Sequence, residues 1–531
     1  MKNVYIKLTL CMLLVALVFT GCTNASNAPA PVPAEPKPSP ETPAEPQPSG
    51  PKYKKEIIIA IADEFTTIDP METTAESNQL VQTCIHTLLT NTNLTTMQNE
   101  GFLVESWEMV APDHWKFKLK ENIKFHDGTI LNVDDVIFTF ERGKDKSTTS
   151  AYIAKIKELK KVDDLNFEIF LHAGDVDFNY VFAADSLAIL SKEAFETMPE
   201  EEAVKIGTGA WKFEEFQSAD YVSLVRFEEC TLYEVPNTER LVFRMIPEAS
   251  SRMIALENGE VDAIMSPSAT DYSRLSESSE LKLITETGRG QHFLGFNQAN
   301  KSSIVSNPDF RKAVAYAVNK EEMVIAAWDG YAQVSTSIMS RDMEYYVDID
   351  GIPYDPEKAK VMFEELGVVG SSIKLITSDA AHRVKMAENF QAQMAKYSIT
   401  VNVEFMQQAA LIERLSAPNN SEEMFVLSWT PGKNADYMYR NPVHSKGGRS
   451  FYSNINDPEI DALIDAAAAE VDKEKRAELY EELQIRLTTE VINWIPIAQA
   501  TLTMGAQKDV TGILLHPALV HQFRTVERII E

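Results

Sequence analysis

Three times in its second half the chain writes the same helix start, an Asn or Asp followed at once by proline. These are "NPDFRKAVAYAVNKEEMV" from Asn307, "DPEKAKVMFEELG" from Asp355 and "DPEIDALIDAAAAE" from Asp457. The side-chain oxygen of the first residue accepts from amides that a helix start leaves unbonded, and proline at the first helical position removes only an N–H that had no partner there. The pattern predicts helices opening at Pro308, Pro356 and Pro458, the second closed at Gly367. "NVDDVIFTFERG" predicts another, capped by Asn132, and "EASSRMIALENGEVDAI" (248–264) a helix closed at Gly259 and then a strand. Segments of the other kind lie between them. "KEIIIAIA" (55–62) is an apolar run of strand length. "HWKFKLKENIKFHDGT" (114–129) alternates at period two over two strands, with Trp115, Phe117 and Leu119 on one face. Strands and helices mixed without simple alternation predict an α/β chain with helix-covered sheets. Roughly 480 residues beyond the N-terminal region are too many for one core and call for two or three lobes.

The N-terminal region folds into none of this. Lys2 and Lys7 lead an apolar run, Leu8–Phe19, well short of the roughly 20 residues that span a bilayer. The run stops at "FTGC" (19–22), which resembles the bacterial lipoprotein processing site, although that pattern has leucine where this chain has Phe19. Residues 1–21 are expected to be a removable signal, and Cys22 to carry acyl chains on its thiol and amine. Two chains hold a protein stably at a membrane face outside the cytoplasm, where one does not. Residues 22–53 follow as a tether: "APAPVPAEPKPSPETPAEPQPSGP" belongs to a stretch with ten of the chain's 25 prolines. Such a segment favours extended polyproline II, near 3.1 Å per residue, and buries no core.

Charge and motif content exclude several functions. The formal charge is −29, and the signal would remove only Lys2 and Lys7, so nucleic acid and electrostatic docking on anionic lipid are not expected partners. Besides Cys22 the body keeps Cys84 and Cys230, enough for one disulfide at most, and the sequence leaves their pairing open. There is no H-E-x-x-H, C-x-x-C, G-x-S-x-G or G-x-x-x-x-G-K-[ST]. "SSIK" (371–374) opens a strand-like alternation that would point Ser371 and Lys374 to opposite faces. The nine histidines show no ligand spacing. No catalytic residue, metal site or cofactor is expected, and the chain does not read as an enzyme.

One segment resists that reading. "SWTPGKNADYMYRNP" (428–442) reads as a loop in which a lone acid, Asp436, stands among aromatics. Other segments give it a context. "FLVESWEMVAPDHWKFKLKENIKFHDGTILNVDDVIFTFER" (102–142), "IGTGAWKF" (206–213), "VFRMIPEASSRMIALENGEVDAI" (242–264), "FLGFNQANKSSIVSNPDFRKAVAYAVNKEEMV" (293–324) and "YDPEKAKVMFEELG" (354–367) together resemble the extracellular solute-binding proteins of family 5. Those are the peptide, dipeptide, glutathione and nickel receptors of ABC importers. The resemblance runs in order over nearly all of the chain beyond residue 56.

It implies an α/β, two-lobe, periplasmic-binding-protein-like fold with mixed sheets, an extra subdomain in the first lobe and a hinge of two crossing strands. Lobe 1 would span 54–287, lobe 2 288–495, and 496–531 would return to lobe 1; the crossings fall near "GRGQHFLGFN" (288–297) and "INWIPIAQA" (492–500). In peptide-binding members a tryptophan precedes a short acidic segment whose aspartate pairs with the peptide's α-amine. Carried across, Trp429 matches the tryptophan and Asp436 the anchor, here seven residues apart and further than in the oligopeptide receptors. Tyr437 and Tyr439 would offer rigid rings to the ligand. An arginine is wanted for a peptide carboxylate; Arg440 and Arg449 lie nearest, with Arg289, Arg341 and Arg383 as alternatives. The resemblance implies a monomeric receptor that captures peptides and delivers them to the transmembrane subunits of an ABC permease with separate ATPase subunits. Glutathione, a nickel chelate or another small solute as ligand remains open, as does peptide sensing without transport.

Overall fold

The structure, a computed structural model, describes residues 51–530 apart from 94–97, 342, 418–419, 431–433, 453 and 518–520. The signal, Cys22 and most of the proline-rich segment lie outside the described residues, as do Pro431, Gly432 and Lys433 of the unusual segment.

The helix starts form as their local chemistry dictates. Asn307 caps Pro308–Ala317 by accepting from Asp309 N, Asp355 caps Pro356–Glu365 through Lys358 N, and Asp457 caps Pro458–Ala469 through Glu459 N and Ile460 N. Gly367 and Gly259 close their helices at φ +67° and +71°, in the left-handed region that glycine enters without steric cost. Asn132 and Asp135 form a reciprocal capping box at the head of Val133–Gly143.

The predicted strands form too, with one exception. Glu56–Ile61 lies between Arg240–Met245 and Ala263–Met265, parallel to both. A strand with neighbours on both sides has no wet edge, which explains its run of isoleucines. His114–Leu119 sits between Val104–Ala111 and Asn166–Leu171 in a separate four-stranded antiparallel sheet, with Trp115, Phe117 and Leu119 buried. The second strand read in 123–129 does not form. That stretch folds back on itself, with Phe125 N donating to Thr129 O around Gly128 at φ +92°, and only a bridge between Lys124 and Ile130 remains.

An eleven-stranded mixed sheet runs through two cores. Two long antiparallel strands, Leu281–Phe296 and Trp494–Gln507, carry it from one to the other. Near the first core, Trp494–Gln507 pairs with Ala263–Met265; near the second, Leu281–Phe296 pairs with Met424–Trp429. Between them the register breaks from Thr287 to Gln291. These are the crossing strands of a two-lobe α/β fold. The chain end returns to the first core, where Val510, Phe523 and Val526 pack with Ile57, Trp211 and Phe243. Trp211 Nε1 donates to the carbonyls of Phe523 and Arg524. Cys84 and Cys230 are both free and buried. Burial lifts both thiols, Cys84 to about 12, so neither is a ready thiolate.

Candidate functional site

The unusual segment is a helix where the sequence read as a loop. Ala435–Arg440 forms a short α-helix capped by Asn434, whose side chain accepts from Tyr437 N at 3.0 Å. The cap explains the turn: Asn434 satisfies a first-turn amide, and one turn of helix then brings Arg440 over Asp436. Arg440 Nε lies 2.9 and 3.0 Å from the two carboxylate oxygens, and its Nη1 lies 2.7 Å from Asp465. Asp436 is therefore not a lone acid. It is 3% exposed, and burial raises its pKa against the opposing pull of Arg440 and Lys155. Arg440 approaches through one nitrogen, which leaves acceptor capacity on a carboxylate that has about four lone-pair positions.

Trp429, ending the strand Met424–Trp429, stacks on Tyr437 with centroids 5.8 Å apart and planes 13° apart. Tyr437 also stacks with Tyr152, at 6.3 Å and 24°, which comes from the first half of the chain. Three rings thus bridge the two halves beside Asp436. Tyr439 takes no part: it is fully buried and packs on Tyr480 at 6.0 Å, so its expected place on a ligand surface is not what the fold gives it.

The arginines divide differently from expectation. Arg440 is committed to Asp436 and Asp465. Arg449 is exposed, with Nη1 2.8 Å from Tyr452 Oη. Arg383 is the informative one. It is buried, and its hydrogen-bond partners among the described residues are neutral: Ser378 Oγ at 3.0 Å, Ser428 Oγ at 2.7 Å and Gln408 Oε1. Its Nε is buried without a partner, and burial lowers its pKa. It stands at the N-terminus of Ala381–Ala395, where Ala380 offers no side-chain cap. Through Ser428 it lies one residue from Trp429. Beside it His292, His382 and Trp328 pack ring on ring, with centroids 4.9 to 5.6 Å apart. Burial holds His382 down at about 4 and His292 well below its ordinary value, so both imidazoles are neutral.

The halves also meet through charge. Asp177 and Arg476, both buried, pair across them at 3.2 Å, and Val176 N points to Ala468 O at 3.5 Å; within the first half, Lys155 holds Asp175 at 2.8 Å. Neither Tyr152 on Tyr437 nor Asp177 on Arg476 can be read from the sequence, since each joins residues hundreds of positions apart. Among the described residues, no group of three or more His, Cys, Asp or Glu is placed to hold a metal ion, and no helix is long and apolar enough to cross a membrane.

The profile of the bacterial extracellular solute-binding proteins, family 5 Middle, matches residues 100–451. The chain belongs to this family. As a family 5 protein it binds a solute outside the cytoplasm. The dipeptide-binding protein of Escherichia coli K12 is 28% identical over 466 residues, covering 80% of this chain and 85% of the relative. Heme-binding protein A of Haemophilus influenzae is 26% identical over 453 residues, 79% of this chain and 82% of the relative. The crystal structure of the ABC transporter substrate-binding protein CtaP from Listeria monocytogenes superposes with a TM-score of 0.81 at 21% identity, over 90% of this chain and all of that one. The two-lobe architecture of this family 5 protein thus agrees in sequence profile and in backbone.

Proposed function

We propose that the protein captures short peptides between its two halves, with the α-amine at Asp436 and the carboxylate at Arg383. The observation that carries this is a pairing of opposite needs on either side of Trp429: a buried carboxylate with acceptor capacity to spare beside Tyr437, and a buried guanidinium on Ser428 whose hydrogen-bond partners among the described residues are neutral. A charge placed out of water without an opposite charge is costly, and a zwitterionic ligand would relieve that cost. The rings of Trp429, Tyr437 and Tyr152 lie beside the amine end and suit both a cation and varied side chains. The dipeptide-binding relative points the same way.

Closure follows from the same placement. Lobe 1 at 54–287, lobe 2 at 288–495 and the return at 496–531 would hinge on the crossing strands, so a ligand touching both halves favours the closed form. Lipidated Cys22 and the tether over 22–53 would hold a monomer at the outer membrane face. The closed form would then pass its ligand to a permease with separate ATPase subunits. Replacing Cys22 with serine is expected to move the protein from the membrane fraction to the medium.

A second reading, a metal chelate, draws on His292 and His382. Their rings are perpendicular at 5.0 Å, with His292 Nδ1 and His382 Nε2 buried and without partners. Calorimetry with Ala-Phe and N-acetyl-Ala-Phe tests the first reading. Binding of the free dipeptide and at least tenfold weaker binding of the acetylated form are expected; equal affinities would remove Asp436 as the amine site.

A further inference from the structure

We propose that closing the cleft takes up a proton at Asp177. This carboxylate stands just before the turn Phe178–Ala183, is 6% exposed, and meets the other half at Arg476 Nη1, 3.2 Å away. Arg476 reaches it with that one nitrogen. Its guanidinium lies over the ring of Tyr345 at 5.2 Å, and its Nε is buried without a hydrogen-bond partner. Three more acids act on the same point: Asp175 on its own segment, Glu344 beside Tyr345, and Asp436 on the helix Ala435–Arg440. Asp175 is held by Lys155 and Asp436 by Arg440. Tyr180 and Tyr480 also lie within reach of its charge, and Tyr180 within reach of Arg289.

Closure therefore takes one carboxylate out of water, gives it a single arginine contact, and brings like charges around it. Burial outweighs Arg476, and Asp177 is pushed up to about 7 where the halves touch. In an open, wet cleft an aspartate titrates near its ordinary value of about 3.9. The form with the higher pKa is the form that acid favours. The gain for closure is complete below the open-form value and is lost as pH rises through about 7. Arg440 and Arg476, both raised by their acidic neighbours, stay charged throughout that window.

The inference rests on the closing of the two halves proposed above and not on the identity of the ligand, so the test uses none. Residues 51–531 form a compact unit with their own cores. Single-molecule FRET between one dye on an exposed residue of each half reads the closed-to-open ratio of this body. We expect the ratio to rise about tenfold from pH 8 to pH 6, and to stay flat in Asp177→Asn, which carries no titrating proton. No rise in the parent protein, or the same rise in Asp177→Asn, overturns the proposal. Should Asp177→Asn fail to fold, Arg476→Gln decides. Removing the cation must move the midpoint of the rise to higher pH, and a midpoint that stays or falls overturns it.

Discussion

Replacing Asp436 with alanine is expected to weaken ligand binding at least a hundredfold while leaving the fold intact. Removing one partner of a buried charge pair typically costs about 3–5 kcal/mol, because the remaining charge is left out of water without compensation. For a bound ligand that remaining charge is its ammonium. The protein itself is spared the same penalty, because Arg440 keeps Asp465 at 2.7 Å and the helix keeps its Asn434 cap. The measurement is a calorimetric titration beside a thermal melt. A melt within a few degrees of the parent with binding lost supports the amine anchor. Retained affinity would assign Asp436 to Arg440 alone, as a structural pair within one helix.

Asp262→Ala is expected to act on stability instead, by about 3–5 kcal/mol. Asp262 is fully buried and accepts from Lys54 Nζ at 2.7 and 2.8 Å, from Arg528 Nη1 at 2.9 Å and from Ile58 N at 2.8 Å. It ties the start of the first strand, the strand after Gly259 and the chain end into one knot. Alanine would leave Lys54 without this anion, Arg528 with Asp509 alone, and a buried amide without an acceptor. Urea unfolding reads the loss. The pair of Lys144 with Glu141 is the control: both side chains are more than half exposed, and Glu141→Ala should cost under about 1 kcal/mol.

How much of this was legible in the sequence follows from distance along the chain. The capped helix starts at Asn307, Asp355 and Asp457, and the closing glycines 259 and 367, are decided within four or five residues, and each is where the sequence put it. The strand Glu56–Ile61 was legible because a central strand is apolar throughout. The stretch 123–129 misled because period-two alternation also describes a tight turn folded on itself. Asn434 could have warned that "NADYMYR" is a helix, since Asn followed by an acid in the first turn is a start signal. Asp436 and Trp429 came from a resemblance, and the fold stacks Trp429 on Tyr437, the residue that follows Asp436. What could not be read is everything made between distant segments: Tyr152 on Tyr437, Asp177 on Arg476, and the hold of Ser428 and Gln408 on Arg383. Which arginines stand next to an acid and which do not is set by these distant contacts, and spacing in a sequence does not record that.

The most direct measurement is native mass spectrometry of the untagged protein, purified without refolding so that its own ligand stays bound. A family of co-purified masses matching short peptides, absent from Asp436→Ala, is the expected result. A single mass of a heme or a metal chelate, or peptides retained equally by the variant, would contradict the account of the cleft.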